Sequence, residues 1–252
     1  MRVEHLYRYP VKGLSAEALE EAQVAPGEML PWDRAFALAQ GDAPFDPAAP
    51  SWLQKTHFMC LMANARAAEL ASAFDPRSGT LSLRARDGSG LTESALTEAG
   101  RARIAAWLTL FLGPEARGAP RFLHVPGHAF SDVRAKMLSL INLASLADLS
   151  RRVGADRDKL RFRANIYFSG TAAWSEFDWL GRTLQAGGSV VRIARRIPRC
   201  KATEVNPVTA LRDADPVAEL RAAYGHPDLG IYAEVLEGGR IGVGDALELL
   251  PD

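Results

Sequence analysis

Apolar and polar residues alternate with period two over short stretches along most of the chain, the pattern of half-buried strands. Four such stretches are predicted in the first hundred residues: 3–9, stopped by Pro10; 22–25, stopped by Pro26-Gly27; 34–39; and 80–86, with Leu81 and Leu83 on one face and Asp87-Gly88 at the end. Residues 41–50 fit no regular element. Pro44, Pro47 and Pro50 remove amide donors there and fix φ. A helical period is clear once. Ile104, Trp107, Leu108 and Phe111 fall on one face behind a Thr97 cap, and Gly113-Pro114 stops the run. A second helix is predicted from Ser145, with Asp148 as its capping-box partner, to Gly154. A third starts at an Asp215 cap with Pro216 in first position and ends at Gly225.

Further strands are predicted at 162–168, 182–186, 189–197, 201–205, 231–236 and 246–250. Glu237-Gly238-Gly239-Arg240 reads as a hairpin turn joining the last two. The fold class is therefore α+β and strand-rich, with a small barrel in the second half and helices flanking it. The Gly-, Pro- and Ala-rich stretch 113–120 is the expected domain boundary, giving units 1–115 and 116–252.

Composition narrows the function. Lys plus Arg equals Asp plus Glu at 30 each, so the formal net charge is zero. That balance argues against a general nucleic-acid binder and a polybasic membrane-surface protein. No stretch approaches the roughly 18 to 20 apolar residues that span a bilayer, and the N-terminus lacks a signal pattern. The expectation is a cytoplasmic protein, mature from residue 1, with no membrane or nucleic-acid partner. Only five of the cations are Lys (12, 55, 136, 159 and 201). The Arg excess fits bidentate anion recognition or plain base composition. Two cysteines, Cys60 and Cys200, exclude a disulfide framework and a four-thiolate iron–sulfur cluster, and suggest a reducing compartment.

The richest segment for chemistry is 190–201, which holds four Arg, one Lys and no acid. Cys200 lies between Arg199 and Lys201, just after Pro198 ends a strand. Flanking cations favour thiolate over thiol. A thiolate suits a sulfur-accepting transition metal, and the arginines suit a phosphate. The plain alternative is a strand-end cysteine beside surface arginines. Cys60, within His57-Phe58-Met59-Cys60-Leu61-Met62, reads as a buried, inert thiol. His124 and His128 flank Pro126-Gly127 and read as solvated loop residues rather than zinc ligands. Asp213 and Asp215 read as helix-start residues. Dinucleotide, P-loop and nucleophile-elbow motifs are absent from the sequence.

Several short motifs, in order, resemble one family. Tyr9-Pro10-Val11-Lys12-Gly13, Trp32-Asp33-Arg34, Ala144-Ser145-Leu146-Ala147-Asp148-Leu149, Phe162-Arg163-Ala164-Asn165-Ile166 and Arg199-Cys200 are its elements. Leu229-Gly230-Ile231-Tyr232 and Ile241-Gly242-Val243-Gly244-Asp245 resemble its closing strands. Together they resemble MOSC-domain proteins with an N-terminal MOSC-associated β-barrel domain, the group that includes the mitochondrial amidoxime-reducing component. The resemblance implies a molybdenum cofactor, a pterin dithiolene with a phosphate tail, ligated by Cys200. It implies that Lys12, Arg34, Arg163, Asn165, Arg199 and Tyr232 hold that cofactor, with Asp132 brought to it on a loop. Gly13 departs from the family's usual Ser, and Ala164 from its usual Pro. The implied activity is an oxidoreductase that reduces small N-hydroxylated substrates, fed by a separate reductase or ferredoxin-like electron donor. The alternatives are a cofactor carrier, or a persulfide-carrying sulfur-transfer protein akin to cofactor sulfurases, whose fused pyridoxal-phosphate domain has no room in 252 residues.

Overall fold

The computed structural model describes residues 1–251. An eight-stranded sheet dominates it. The chain enters through β1 (Arg2–Arg8), β2 (Glu17–Leu19) and β3 (Glu21–Val24), then crosses to β4 (Phe36–Ala39). A meander of β5 (Ala71–Asp75), β6 (Thr80–Arg84) and β7 (Gly90–Ser94) precedes α1 (Glu98–Leu112) and β8 (Arg121–His124). The second half runs β9 (Leu138–Asn142), α2 (Leu143–Val153), β10 (Ile166–Ser169), β11 (Thr183–Ala186), β12 (Ser189–Pro198), α3 (Pro216–Tyr224), β13 (Asp228–Glu237), β14 (Gly239–Gly242) and β15 (Leu247–Leu249). This is the expected strand-rich α+β fold.

The large sheet has the order β15-β11-β12-β13-β9-β10-β1-β2. Its alternating pleat turns Val191, Ile193, Ile231, Ala233, Val235 and Leu247 into one core, where Val3, Leu6, Val24 and Leu30 from the start of the chain join them. A second core gathers the meander and α1 around Phe36, Phe74, Ile104 and Leu108. Strands cross between the halves of the sequence: β1 pairs with β10 and β3 with β14, while β4 pairs with β8 at the end of the first half. No helix among the described residues is long and apolar enough to cross a membrane.

Four expectations change. Residues 159–162 form a 3-10 turn capped by Asp158, and β10 starts only at Ile166, so Phe162 and Arg163 are not strand residues. Residues 201–204 form another 3-10 turn, not a strand. α2 begins two residues earlier than Ser145, capped by the Asn142 side chain; the Ser145 hydroxyl instead donates to buried Glu176 at 2.7 Å. The turn at 237–240 leads into β14, which pairs with β3, so β13 and β15 do not form a hairpin. Thr97, Asp215, Gly113 and Gly225 end their helices as the sequence implies.

Candidate functional site

A cavity of about 240 Å³ opens where the first-half loops meet the ends of β12 and β13. Cys200 stands on its wall. β12 ends at Pro198, and Cys200 is the extended residue that caps the following 3-10 turn. Its carbonyl accepts from Thr203 N at 3.0 Å and Thr203 Oγ1 at 2.9 Å, which fixes its backbone. Lys12, Arg34, Asp132, Arg163, Asn165, Arg199 and Tyr232 line the same cavity, so the eight residues singled out in the sequence meet in one place.

Their environments differ. Arg163 follows the 159–162 turn and holds a left-handed φ of 51°; Arg34 holds 52°. Non-glycine residues rarely adopt this region, and such outliers cluster at functional sites. Both guanidiniums lie over the Tyr9 ring, at 4.4 Å for Arg34 and 4.3 Å for Arg163. Arg34 donates to buried Asp33 at 2.7 Å and to the Arg163 carbonyl at 2.9 Å. Burial works against its charge, and Asp33 outweighs that and raises its pKa. Arg163 lacks such a partner. No carboxylate among the described residues pairs with it, and burial, with Arg34 nearby, pulls its pKa down.

Arg199 and Asn165 mostly serve the frame. Arg199 donates to the carbonyls of Leu229 and Phe162, each at 2.8 Å, tying β13 to the 159–162 turn. A side chain at Gly230 would strike the Leu140 carbonyl at 2.4 Å and crowd Arg199 Nη2, so glycine is required there. The Asn165 carbonyl oxygen accepts from Ser139 N and Oγ, while its amide donates to Tyr7 O and Asp33 Oδ2. Its full hydrogen-bonding capacity is used inside the protein. Tyr232 packs under Arg195 at 5.3 Å, and burial raises its pKa.

Asp132 is the single carboxylate among the cavity's lining residues. Lys12 Nζ donates to it and to the Phe130 carbonyl, the latter at 3.0 Å, and Lys55 Nζ lies 3.7 Å away. Partial desolvation at the cavity mouth works to raise the half-exposed Asp132 carboxyl, but the two ammoniums outweigh it and hold it at about 2.

Lys55 is the residue the sequence reading missed. It sits on a short 3-10 turn after the proline-rich segment, and its ammonium faces Asp132 in the cavity that Cys200 also lines. The available signal was rarity: two of only five lysines reach this cavity. The basic run before Cys200 contributes less than its sequence implies. Arg192 pairs with Glu234 at 2.6 Å and Arg196 covers Phe177 at 4.1 Å, so only Arg195 and Arg199 face the cavity. Cys60 is buried, as expected, and burial pushes its thiol up, yet it also lines the cavity. The two histidines are packed rather than solvated: His124 closes β8 and lies against Phe36 at 4.8 Å, and His128 lies against Phe130 at 4.9 Å. Asp215 caps α3, but Asp213 pairs with Arg161.

The described residues contain no group of three or more His, Cys, Asp or Glu able to hold a metal. A metal at Cys200 would take one ligand from this cavity and the others from the molecule that carried it. The lining suits such a molecule if it is anionic, because Lys12, Arg34, Lys55, Arg163 and Arg199 face one carboxylate.

Fold and cavity together define a class: a strand-rich protein in which two β units enclose a cationic pocket holding one half-buried thiol. The family models make it specific. The MOSC N-terminal beta barrel domain matches residues 1–115 and the MOSC domain residues 126–248, so the chain belongs to the MOSC family with that two-domain architecture. No curated protein matches the chain. Among solved structures, YiiM from Geobacillus stearothermophilus is similar at 20% identity and a TM-score of 0.36, over 45% of this chain. The match spans only 54% of the YiiM chain, about half its length. The YUAD protein from Bacillus subtilis is similar at 14% identity and a TM-score of 0.46, over 98% of this chain and 94% of its own.

Proposed function

We propose that this protein is a molybdenum-cofactor-dependent oxidoreductase that reduces small N-hydroxylated substrates, with Cys200 as the metal's protein ligand. One observation carries the reading: a half-buried thiol shares its cavity with Arg163, a half-buried cation that forms no ion pair with a carboxylate among the described residues. Such a cation is costly unless an anion completes it. The phosphate tail of a pterin dithiolene is such an anion, and its sulfurs would complete the metal's ligand set. When bound, that cofactor supplies two-electron redox chemistry, while the protein supplies ligation, orientation and access.

The chain's own residues divide the work. Cys200, fixed through its carbonyl by Thr203, presents sulfur to the cavity. Arg34 and Arg163, stacked on Tyr9, form the anion-holding wall. Arg199 and Asn165 hold that wall in place, and Tyr232, stacked under Arg195, adds an aromatic surface to the same cavity. Two cysteines cannot supply a four-thiolate iron–sulfur cluster, and this reading takes its electrons from a separate reductase or ferredoxin-like protein. The test is molybdenum per chain and N-reductive turnover, measured on protein from a cofactor-producing host. Cys200→Ser is expected to keep the fold and lose turnover. Wild-type turnover in that variant would overturn the reading.

Sulfur transfer is the second reading, favoured by the presence of Cys60 in the same cavity. It predicts a persulfide on Cys200 by mass spectrometry and no turnover. A cofactor carrier would also lack turnover, but without the persulfide.

A further inference from the structure

The cavity already contains an anion, and it belongs to the protein. Asp132 is the only carboxylate lining the cavity among the described residues, and both cavity lysines converge on it. The two sides of this contact are unequal. The Lys12 side chain is 6% exposed, whereas that of Asp132 is 46% exposed and lies on the irregular segment between β8 and β9. A buried ammonium must keep a counter-charge, because removing the only partner of a buried charge is strongly unfavourable. A half-exposed carboxylate has no such need, since water solvates it once it turns outward. The contact is therefore built to exchange one anion for another, with the lysines fixed and the carboxylate free to leave.

From this we infer that Asp132 is a specificity-determining placeholder: it holds Lys12 and Lys55 until a phosphate-type anion displaces it. The inference rests on the anionic-ligand reading of the cavity and adds a selection rule. A ligand must repay the loss of the Asp132 contacts, so a dianionic phosphate group competes well and a monoanion poorly. Nearby contacts fix how the segment responds. Lys12 Nζ also holds the Phe130 carbonyl at 3.0 Å, which anchors the start of the loop independently of Asp132. Trp52 Nε1 donates to the Ser131 carbonyl at 3.3 Å, and Arg134 lies over the Trp52 ring at 5.5 Å. Movement of Asp132 away from the lysines therefore changes the surroundings of one indole.

The experiment uses inorganic phosphate as the probe and the full chain without molybdenum. Phosphate affinity is measured by calorimetry for wild type, Asp132→Asn and the double variant Asp132→Asn with Lys12→Met. Asp132→Asn is expected to bind phosphate at least about tenfold more tightly than wild type, the scale of one close charge pair. The double variant is expected to lose that gain. Should Asp132→Asn fold poorly, wild type still decides: phosphate shifts the tryptophan emission, chloride at equal ionic strength does not, and Trp52→Phe abolishes the shift. If wild type binds phosphate, Asp132→Asn binds it no more tightly and the Trp52 signal is static, the placeholder role is overturned while the anionic cavity stands. If neither protein binds phosphate, the placeholder role and the anionic-ligand reading fall together.

Discussion

Arg163 combines two costs at one position, a left-handed backbone and a half-buried charge with no ion-pair partner among the described residues. The left-handed conformation costs a side-chain-bearing residue roughly 1–2 kcal/mol, which glycine avoids. Arg163→Gly is therefore expected to leave ligand-free stability within about 1 kcal/mol of wild type, since that relief offsets the lost Tyr9 stacking and the added chain entropy. The same variant is expected to lose molybdenum retention, read by elemental analysis beside a denaturant titration. Large destabilisation with retained metal would assign Arg163 to the frame instead. The thiols give a second residue-scale prediction. Burial shields Cys60 and pushes its thiol up, while Cys200 is half-buried at the cavity wall. Iodoacetamide should label Cys200 well before Cys60, as peptide mass spectrometry would show. At this scale much of the site was legible, because Lys12, Arg34, Arg163 and Cys200 sit in short ordered motifs. Lys55 was not, because no local pattern dictates where a proline-rich segment goes. Nor was the φ of Arg163, which long-range contacts impose on a residue type with no left-handed preference.

Helix caps and long strands were readable, since Thr97, Asp215-Pro216 and the alternation of β12 act through neighbours in sequence. The misread elements are those where tertiary bonds outrank local preference. Phe162-Arg163-Ala164 has strand composition, yet Asp158 caps a turn there and Arg199 takes the Phe162 carbonyl. Asp148 shows the same effect. Its spacing from Ser145 suggests a cap, but it accepts from Tyr224 OH at 2.6 Å and Trp174 Nε1 at 2.9 Å, clamping α2 to the end of α3. The Tyr224 and Trp174 hydrogen bonds, with Arg152 behind them, lower the Asp148 carboxyl to about 2. A depressed carboxylate stabilises the fold above its unfolded value of about 3.9, and that contribution is lost as pH falls toward 2. Asp148→Asn should therefore be less stable than wild type at pH 7 by about 1–3 kcal/mol, the scale of bonds to a charged group. The difference should shrink between pH 4 and 2 in parallel denaturant titrations. A gap that stays constant through this window would show that the carboxylate charge is not what clamps the helices.

For the whole molecule, the question is whether the two halves of the sequence can stand apart. The sheet pairings say they cannot. β1 fills the position beside β10, and the Val3 and Leu247 amides bond to the carbonyls of Asp245 and Met1 respectively. Val3, Leu6, Val24 and Leu30 are each at most 3% exposed and pack into the core of the second half. Burying one such side chain contributes about 1.5–3 kcal/mol, so these four supply roughly 6–12 kcal/mol. That equals the whole net stability of an ordinary domain, about 5–15 kcal/mol. Without them β10 would also expose an unpaired edge, a template for aggregation. A fragment of residues 116–252 is therefore expected to lack a fixed fold, seen as collapsed amide dispersion in its NMR spectrum or as precipitation. The full chain is expected to melt in one cooperative transition, because β1 and β3 of the first half pair with β10 and β14 of the second. The cavity lies at this junction, with Lys12, Arg34 and Lys55 from the first half facing Arg163 and Cys200 from the second. Anion binding should then raise the midpoint of the whole transition, since a ligand held by both halves stabilises both. Two resolved transitions, with phosphate moving only one, would show that the halves fold independently and that the cavity belongs to one of them.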